Sequence, residues 1–282
     1  MKLCYQVATP DVKKADSVTA YQGPLQKTFG DLADLGYDGV ELMTIDPQKL
    51  DWREVKNTAT DLGLVVGLIC TGEIFGQLGL NFTDPDAGRR RECIDRVKGI
   101  IDFAAFEGAK INIGRVRGQY TPGLDRRQTE EWAIDAFREI SDYAAPQGVS
   151  IALENVTIMQ TNFVNTMAEA RRIVELTDRP NFKAMIDIFH LNIEERDLYQ
   201  AIRDYADINI HVHLCDNNRR YPGNCGLDFN KIIQTFHDVG YDDLFCTEVF
   251  QWPSMEDCAK RSIEYLAPIF ERVYGRPVEK NK

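Results

Sequence analysis

The chain has 282 residues, of which 44% are hydrophobic and 27% charged, a composition typical of a globular protein rather than a disordered or collagenous one. Lysine and arginine total 33 against 44 aspartate and glutamate residues, which gives a formal net charge of −11. Because this charge repels phosphate backbones, we expect no nucleic-acid partner.

The N-terminal stretch has no apolar run after its basic residue, and no segment approaches the ~20 apolar residues of a membrane span. We therefore expect neither a secretory leader nor a membrane anchor. The seven cysteines include no Cys-x-x-Cys pair. They are expected to be reduced and mostly buried thiols, which favours a cytoplasmic location.

Eight short apolar runs predict buried strands, several of them nearly continuous hydrophobic stretches typical of parallel strands covered on both faces. The runs are residues 3–9, 39–43, 64–70, 110–116, 150–156, 182–190, 208–216 and 243–250. Helical patterns alternate with them, as where Ile94, Val97 and Ile101 form one apolar stripe. Five glycines stand where these helices should end: Gly36, Gly63, Gly108, Gly148 and Gly240.

Alternating strands and helices indicate a parallel α/β fold, and eight such units fit a single (β/α)8 TIM barrel spanning residues 1–282. No G-x-G-x-x-G follows the first strand, and no G-x-x-x-x-G-K-[ST] occurs in the chain. Both absences disfavour an open nucleotide-binding sheet. Residues 72–86 form the longest irregular insert and are predicted to be a lid over the barrel mouth.

Four polar residues lie late in the last four predicted strands: Glu154, Asp187, His213 and Glu248. Carboxylates inside apolar strands are costly unless they are paired or bind a cation, and active sites of such barrels lie at the carboxyl ends of the strands. Together the four residues predict a site for one divalent metal ion. Oxygen-rich ligation with one imidazole suits Mn²⁺ best, with Mg²⁺ or Co²⁺ as alternatives.

Two arginines, Arg115 and Arg117, follow the fourth strand and form a candidate site for a substrate phosphate or carboxylate. The alternative is a pair of surface arginines on an acidic protein. His211 lies two positions before His213 and therefore faces the same side of its strand. It is either a supporting residue of the metal site or a core histidine.

The segments LENVTIMQTNFVNT, MIDIFHLNIEE, HVHLCDNNRRYPGNCGLDF and FCTEVF resemble the metal-dependent ketose 3-epimerases that act on tagatose and psicose. That group belongs to the xylose-isomerase-like TIM-barrel superfamily. The resemblance implies the same four metal ligands, and it assigns substrate contacts to His190 and Arg219. It further implies a small carbohydrate substrate and a homo-oligomer, either a dimer or a tetramer.

The chain departs from this family pattern after the fifth strand. A glutamate that contacts the sugar in the family corresponds here to Gln160, and an asparagine and an arginine correspond to Thr157 and Ile158. An amide donates as well as accepts hydrogen bonds, so it can face a carbonyl or phosphate oxygen that glutamate would repel. We therefore expect Gln160 to contact a substrate that differs from a free hexulose.

Removing a proton beside a carbonyl requires stabilisation of an enediolate and two groups on opposite faces of the substrate. We assign the acid and base roles to Glu154 and Glu248, which makes the protein an isomerase or epimerase of a sugar or sugar phosphate. A metal-dependent dehydratase, a hydroxypyruvate-type isomerase and a catalytically silent sugar-binding barrel stay open. A DNA-repair endonuclease is disfavoured by the presence of only four histidines and by the net charge of −11.

Overall fold

The computed structural model describes residues 2–275, whose strands form one closed ring. Eight parallel strands follow one another in chain order, and the first pairs with the last. The predicted TIM barrel is thereby confirmed. The strands are β1 (Lys2–Ala8), β2 (Gly39–Met43), β3 (Val65–Cys70), β4 (Lys110–Ile113), β5 (Ile151–Glu154), β6 (Phe182–Asp187), β7 (Asn209–Leu214) and β8 (Leu244–Thr247).

Helices follow the strands and cover the ring from outside. They are α1 (Leu25–Leu35), α2 (Trp52–Asp61), α3 (Gly72–Leu78), α4 (Ala87–Glu107), α5 (Arg126–Ala144), α6 (Met167–Thr177), α7 (Ile188–Glu194), α8 (Leu198–Asp204), α9 (Phe229–Asp238) and α10 (Met255–Tyr274). The five glycines predicted to end helices have φ values between 72° and 90°. Only glycine adopts this left-handed region without strain. Within residues 2–275, no helix is both long and apolar enough to cross a bilayer.

Three predicted strands end three residues earlier than expected at their carboxyl ends. β4 stops at Ile113, after which Arg115–Arg117 form a 3₁₀ turn. β6 stops at Asp187, because the Asp187 side chain accepts the backbone N–H groups of Phe189 and His190 and so begins α7. β8 stops at Thr247. The sheet thus ends where the polar residues begin, and these shorter ends place their side chains at the barrel mouth.

The stretch predicted to be an irregular lid is partly helical, because α3 occupies its first seven residues. Thr71 precedes this helix and donates its hydroxyl to the backbone carbonyl of Asn112. A two-residue strand, Tyr21–Gln22, pairs with Val7 and Ala8 at the end of β1, beyond the part of β1 that pairs with β8. This pairing brings the loop before it, including Thr19, over the same end of the barrel.

Candidate metal centre and active site

The four predicted ligands converge at the carboxyl end of the barrel. Each offers one ligand atom, and these atoms all lie within 4.8 Å of one another: Glu154, Asp187, His213 and Glu248. All four side chains are buried. They come from four consecutive strand ends, so the barrel itself determines their spacing.

The imidazole of His213 is the centre of this group. Its Nδ1 atom lies 2.7 Å from Oε2 of Glu248 and 3.6 Å from Oε1 of Glu154 and from Oδ2 of Asp187. Both Nδ1 and Glu248 Oε2 are buried, and neither has a well-aligned hydrogen bond. At this separation either a proton or a bound cation lies between the two atoms, and a cation there would also be within reach of Glu154 and Asp187. The donor set, three carboxylates and one imidazole, fits a hard divalent ion.

The two oxygens of Asp187 serve different purposes. Oδ1 caps helix α7, accepting the backbone N–H of Phe189 at 2.8 Å. Oδ2 lies 3.0 Å from Nη1 of Arg219. Burial by itself would raise the pKa of this carboxyl, but the guanidinium of Arg219 and the nearby imidazoles outweigh it and hold the pKa well below the usual range. Asp187 therefore stays ionised and fixed in position.

Glu154, at the end of β5, and Glu248, directly after β8, have opposite pKa shifts. Burial, with repulsion from Glu248 and Asp187, raises the pKa of Glu154 despite its contact with His213. Burial opposes ionisation of Glu248 as well, but attraction to Arg219 and His213 lowers its pKa below the ordinary value. Two carboxyls whose environments separate their pKa values are the usual arrangement of an acid and a base.

His190, predicted at a strand end, instead lies in α7 and is buried. Its Nδ1 accepts the backbone N–H of Thr157 at 3.2 Å, so the proton resides on Nε2, which lies 4.0 Å from Oε1 of Glu154. Burial lowers the pKa of His190 to about 3. The ring is consequently a neutral N–H donor that faces the cavity.

Arg219 contacts two of the four ligands at once. Nη1 lies 3.0 Å from Asp187 Oδ2, and Nη2 lies 2.8 Å from Glu248 Oε2. The residue has a positive φ of 55°. Asp216 stabilises the loop that contains Arg219. The Asp216 carboxylate accepts four backbone N–H groups of this loop, those of Asn217, Gly223, Cys225 and Leu227.

The two arginines after β4 have separate environments. Arg115 lines the cavity and pairs with Glu73 on α3, with 3.2 Å between Nη2 and Oε1. Arg117 is fully buried and donates to three backbone carbonyls, those of Gly114, Phe163 and Val164. Its hydrogen bonds connect the loops after β4 and β5. The structure thus brings Arg115 to the site and gives Arg117 backbone partners instead of an anion.

The ligands open into a cavity of about 190 Å³. Gln160 lines it, as do His190 and Arg219. The backbone of Gly114 lies close to the Glu154 carboxylate in the wall of this cavity, because a Cβ atom at position 114 would lie 2.6 Å from Oε2 of Glu154. All nine predicted site residues except Asp187, His213 and Arg117 line this cavity; the first two lie directly beneath it as part of the ligand group.

Sequence reasoning missed two participants. Glu73 falls in the stretch expected to be irregular. Its ion pair with Arg115 is the contact that brings it to the site. Thr19 donates its hydroxyl to Oε1 of Glu248 at 2.7 Å. Nothing in its local sequence signals this contact, because the two residues are 229 positions apart.

The model of the xylose isomerase-like TIM barrel family matches residues 29–269. The chain belongs to this family. A 3-dehydro-D-guloside 4-epimerase of Escherichia coli (strain K12) is 30% identical over 223 residues, which cover 76% of this chain and 82% of that protein. An L-ribulose 3-epimerase of Mesorhizobium japonicum is 26% identical over 236 residues, covering 83% and 78% of the two chains.

Solved structures of the xylose isomerase-like family agree with these relatives. The crystal structure of 3-keto-D-glucoside 4-epimerase from E. coli has a TM-score of 0.79 at 25% identity, covering 94% of this chain and 98% of that one. The relatives include ketose 3-epimerases, as the resemblance implied. This xylose isomerase-like barrel is accordingly a sugar isomerase or epimerase.

Proposed function

We propose that this protein is a divalent-metal-dependent epimerase that inverts a carbon next to the carbonyl group of a keto sugar. One observation carries the proposal: Glu154 and Glu248 line the same cavity from different strands and belong to the buried group of four possible metal ligands. Inversion requires a proton to leave one face of the carbon and another to arrive on the opposite face. A single carboxylate cannot serve both faces.

The ligand set Glu154, Asp187, His213 and Glu248 would hold the ion, with Mn²⁺ as the best fit and Mg²⁺ or Co²⁺ as alternatives. When bound, the ion acts as a Lewis acid that stabilises negative charge on the oxygens of an enediolate. Asp187 and His213 take no part in the proton transfer and serve the reaction by holding the ion. Their burial, and the cap that fixes Asp187, keep that position constant.

The remaining side chains bind and orient the substrate. One glutamate removes the proton from the substrate carbon and the other delivers a proton to the opposite face, their roles being exchanged in the reverse direction. His190 donates through Nε2–H and Arg219 through its guanidinium to substrate oxygens, where negative charge develops. Arg115 and Gln160 contact the part of the substrate nearer the mouth.

The relatives share a type of reaction but act on different substrates. The E. coli protein is a 4-epimerase of a 3-dehydro-guloside and the others are 3-epimerases of ketoses. Both descriptions concern a carbon adjacent to a ketone. We infer the same step here, on a keto sugar whose chain length and substituents Gln160 and Arg115 select.

Product analysis in deuterated water tests the proposal. Free ketoses, ketose phosphates and 3-keto-glycosides are incubated with the protein and Mn²⁺, and the products are followed by NMR. We expect one substrate class to yield an epimer with deuterium at the inverted carbon. Glu154→Gln should abolish both the formation of the epimer and the incorporation of deuterium. An absorbing enone or dione would instead identify a dehydratase. Metal binding without turnover of any substrate would favour a sugar-binding barrel.

We also propose that the protein is a cytoplasmic homo-oligomer, either a dimer or a tetramer. Apolar side chains are exposed on the loops after β5 and β8, among them Ile158 (59%), Met159 (69%) and Trp252 (54%). Apolar surface of this kind beside a barrel mouth is typical of an interface. Light scattering coupled to size exclusion tests the oligomer, and fractionation of the source cells tests the location.

A further inference from the structure

Behind the ligand group lies a second set of buried polar side chains that the proposed reaction does not use. Glu41 on β2 is its centre and is 1% exposed. The Nε2 atom of His211 lies 2.9 Å from Oε2 of Glu41, and Nε2 of His213 lies 3.0 Å from both carboxylate oxygens. Gln6 on β1 donates its amide to Oε1 of Glu41 at 2.7 Å.

The hydrogen-bonding capacity of these groups determines where the protons lie. An ionised carboxylate only accepts, so each of its three partners must donate. Gln6 donates through its amide nitrogen, and both histidines must carry a proton on Nε2. Nδ1 of His213 is thereby left as the nitrogen available to a cation, and it is the atom that faces Glu154, Asp187 and Glu248.

The same set extends to the other side of the ligand group. Oε1 of Gln6 lies 3.2 Å from the Thr19 hydroxyl, and that hydroxyl donates to Oε1 of Glu248 at 2.7 Å. Glu41 is therefore hydrogen-bonded to the ligand group directly through His213. The Thr19 hydroxyl has one proton, which it donates to either Glu248 or Gln6 and not to both at once. β1, β2 and β7 supply every named member of this cluster except Thr19, so the barrel wall holds these side chains in place.

We propose that Glu41 is a positioning residue for the metal centre: it holds the His213 ring with its proton on Nε2 and its Nδ1 lone pair directed at the cation. The inference rests on the proposed metal-dependent function. Partners of this kind commonly fix the tautomer and ring orientation of a metal-binding histidine, and their removal weakens metal binding by roughly 10- to 100-fold.

Glu41, His211 and His213 could alternatively hold a second ion of their own, since their ligand atoms also lie close together. The hydrogen-bond geometry favours the positioning role. The Nε2 atoms that a second ion would need are each within 3.0 Å of the carboxylate, as N–H donors are. Metal stoichiometry separates the two arrangements, because the positioning role requires about one ion per chain.

The first experiment needs no substitution. The protein is labelled with ¹⁵N-histidine, and long-range ¹H–¹⁵N spectra assign the tautomer of each of its four histidines, with and without Mg²⁺. We expect His213 to carry a proton on Nε2 with and without the ion, and its Nδ1 signal to shift on metal addition as the ion replaces any proton there. Absence of the proton from Nε2 of His213 in either spectrum would overturn the inference whatever the protein catalyses.

The second experiment measures Mn²⁺ affinity by competition with a chromophoric chelator. An amide at position 41 replaces one acceptor oxygen with an NH₂ donor, so Glu41→Gln is expected to weaken binding by roughly 10- to 100-fold. Glu41→Asp keeps the charge and should lose less. Glu73→Gln is the matched control: it is the same substitution at a buried carboxylate whose partner is Arg115, and we expect a much smaller change.

The outcomes distinguish this inference from the proposed function. Wild-type protein that binds no ion would contradict the metal-dependent reaction, while the tautomer spectra would still decide the role of Glu41. Wild-type protein that binds one ion, with equal affinity in folded Glu41→Gln, would contradict the positioning role alone. Two ions per chain would assign Glu41 to a second metal site instead.

Discussion

Nδ1 of His213 and Oε2 of Glu248 lie 2.7 Å apart inside the barrel, and neither has a well-aligned hydrogen bond. A divalent cation bound between them and the two other carboxylates would satisfy both atoms. We therefore expect purified protein to contain about one divalent ion per chain and to lose activity on chelation, with recovery on adding Mn²⁺. Elemental analysis and assays in EDTA check this. Full activity in metal-free protein would contradict it.

Isosteric amides at the two opposed glutamates should remove proton transfer without removing the barrel. Glu154→Gln and Glu248→Gln are each expected to lower kcat by roughly 10²–10⁴-fold or more, because general acid–base steps contribute about that much. Circular dichroism verifies folding, and Glu92→Gln on the exposed face of α4 is the control. Near-normal turnover in either variant would refute the assignment of that glutamate.

Arg115 and Arg117 are expected to differ in what they support. Arg117→Ala removes three buried side-chain hydrogen bonds, although the carbonyls of Gly114 and Val164 keep a backbone N–H partner, and should reduce the free energy of unfolding by about 3 kcal/mol. Arg115→Ala should reduce the free energy of unfolding by less, because it removes the partner of only one buried carboxylate, that of Glu73. If the substrate is anionic, it should raise KM by roughly 10- to 100-fold while altering kcat little. Denaturant titration measures the stability of the two variants, and steady-state kinetics measures their KM and kcat. Equal stability of Arg115→Ala and Arg117→Ala would contradict the prediction that Arg117 supports the fold more than Arg115 does.

The amide at Gln160 should determine which keto sugar is preferred. We expect the best substrate to differ from a free ketohexulose, and Gln160→Glu to improve kcat/KM for D-fructose, D-tagatose or D-psicose by about one to two decades relative to the native substrate. Gln160→Ala shows whether the gain depends on the carboxylate. A wild-type protein that already prefers one of these sugars, with no shift in Gln160→Glu, would count against this role.

The stability of the barrel should depend on pH through Glu107 at the end of α4. Burial raises the pKa of Glu107 to about 7 from an ordinary 4.5, with Lys56 opposing the shift. The folded state therefore favours the protonated form. Below pH 4.5 Glu107 is protonated in both states and costs no stability. As pH rises from 4.5 to about 7, the unfolded state increasingly gains from ionisation, so the free energy of unfolding falls, and above about pH 7 the loss is complete.

Replacing Glu107 with glutamine should remove that penalty. We expect Glu107→Gln to melt at the same temperature as the parent at pH 4 and roughly 2–4 °C higher at pH 8. Differential scanning calorimetry at several pH values measures the difference. Glu92→Gln, on an exposed part of the same helix, should show no such trend. A constant difference across the pH range would exclude ionisation of Glu107 as its cause.

Much of the fold and the ligand group was predictable because burial leaves a strong pattern in the sequence. The eight apolar runs give the barrel strands to within a few residues. Glu154, Asp187 and Glu248 stand out because a carboxylate beside such a run needs a compensating partner. His213 was predictable because it lies near the carboxyl end of β7, as the three carboxylates do on β5, β6 and β8.

The rest depends on contacts that no local pattern encodes. Arg117 lies between two glycines and has the sequence of a surface turn, yet its partners at Phe163 and Val164 come from the loop after β5. His190 was predicted in a strand because the apolar run continues past Asp187, whereas the cap formed by Asp187 converts that run into a helix. Both outcomes are set by side-chain hydrogen bonds to backbone groups, which hydrophobic periodicity does not report.

Closure of the barrel also has a consequence for how each molecule is made. Cys4 on β1 pairs with Cys246 on β8, so the first strand has an open edge until the last one leaves the ribosome. Glu248 directly follows that last strand. A chain still in synthesis consequently lacks both a closed barrel and the glutamate that Thr19 binds. The proposed ligand group is therefore complete only after the final strand has been translated.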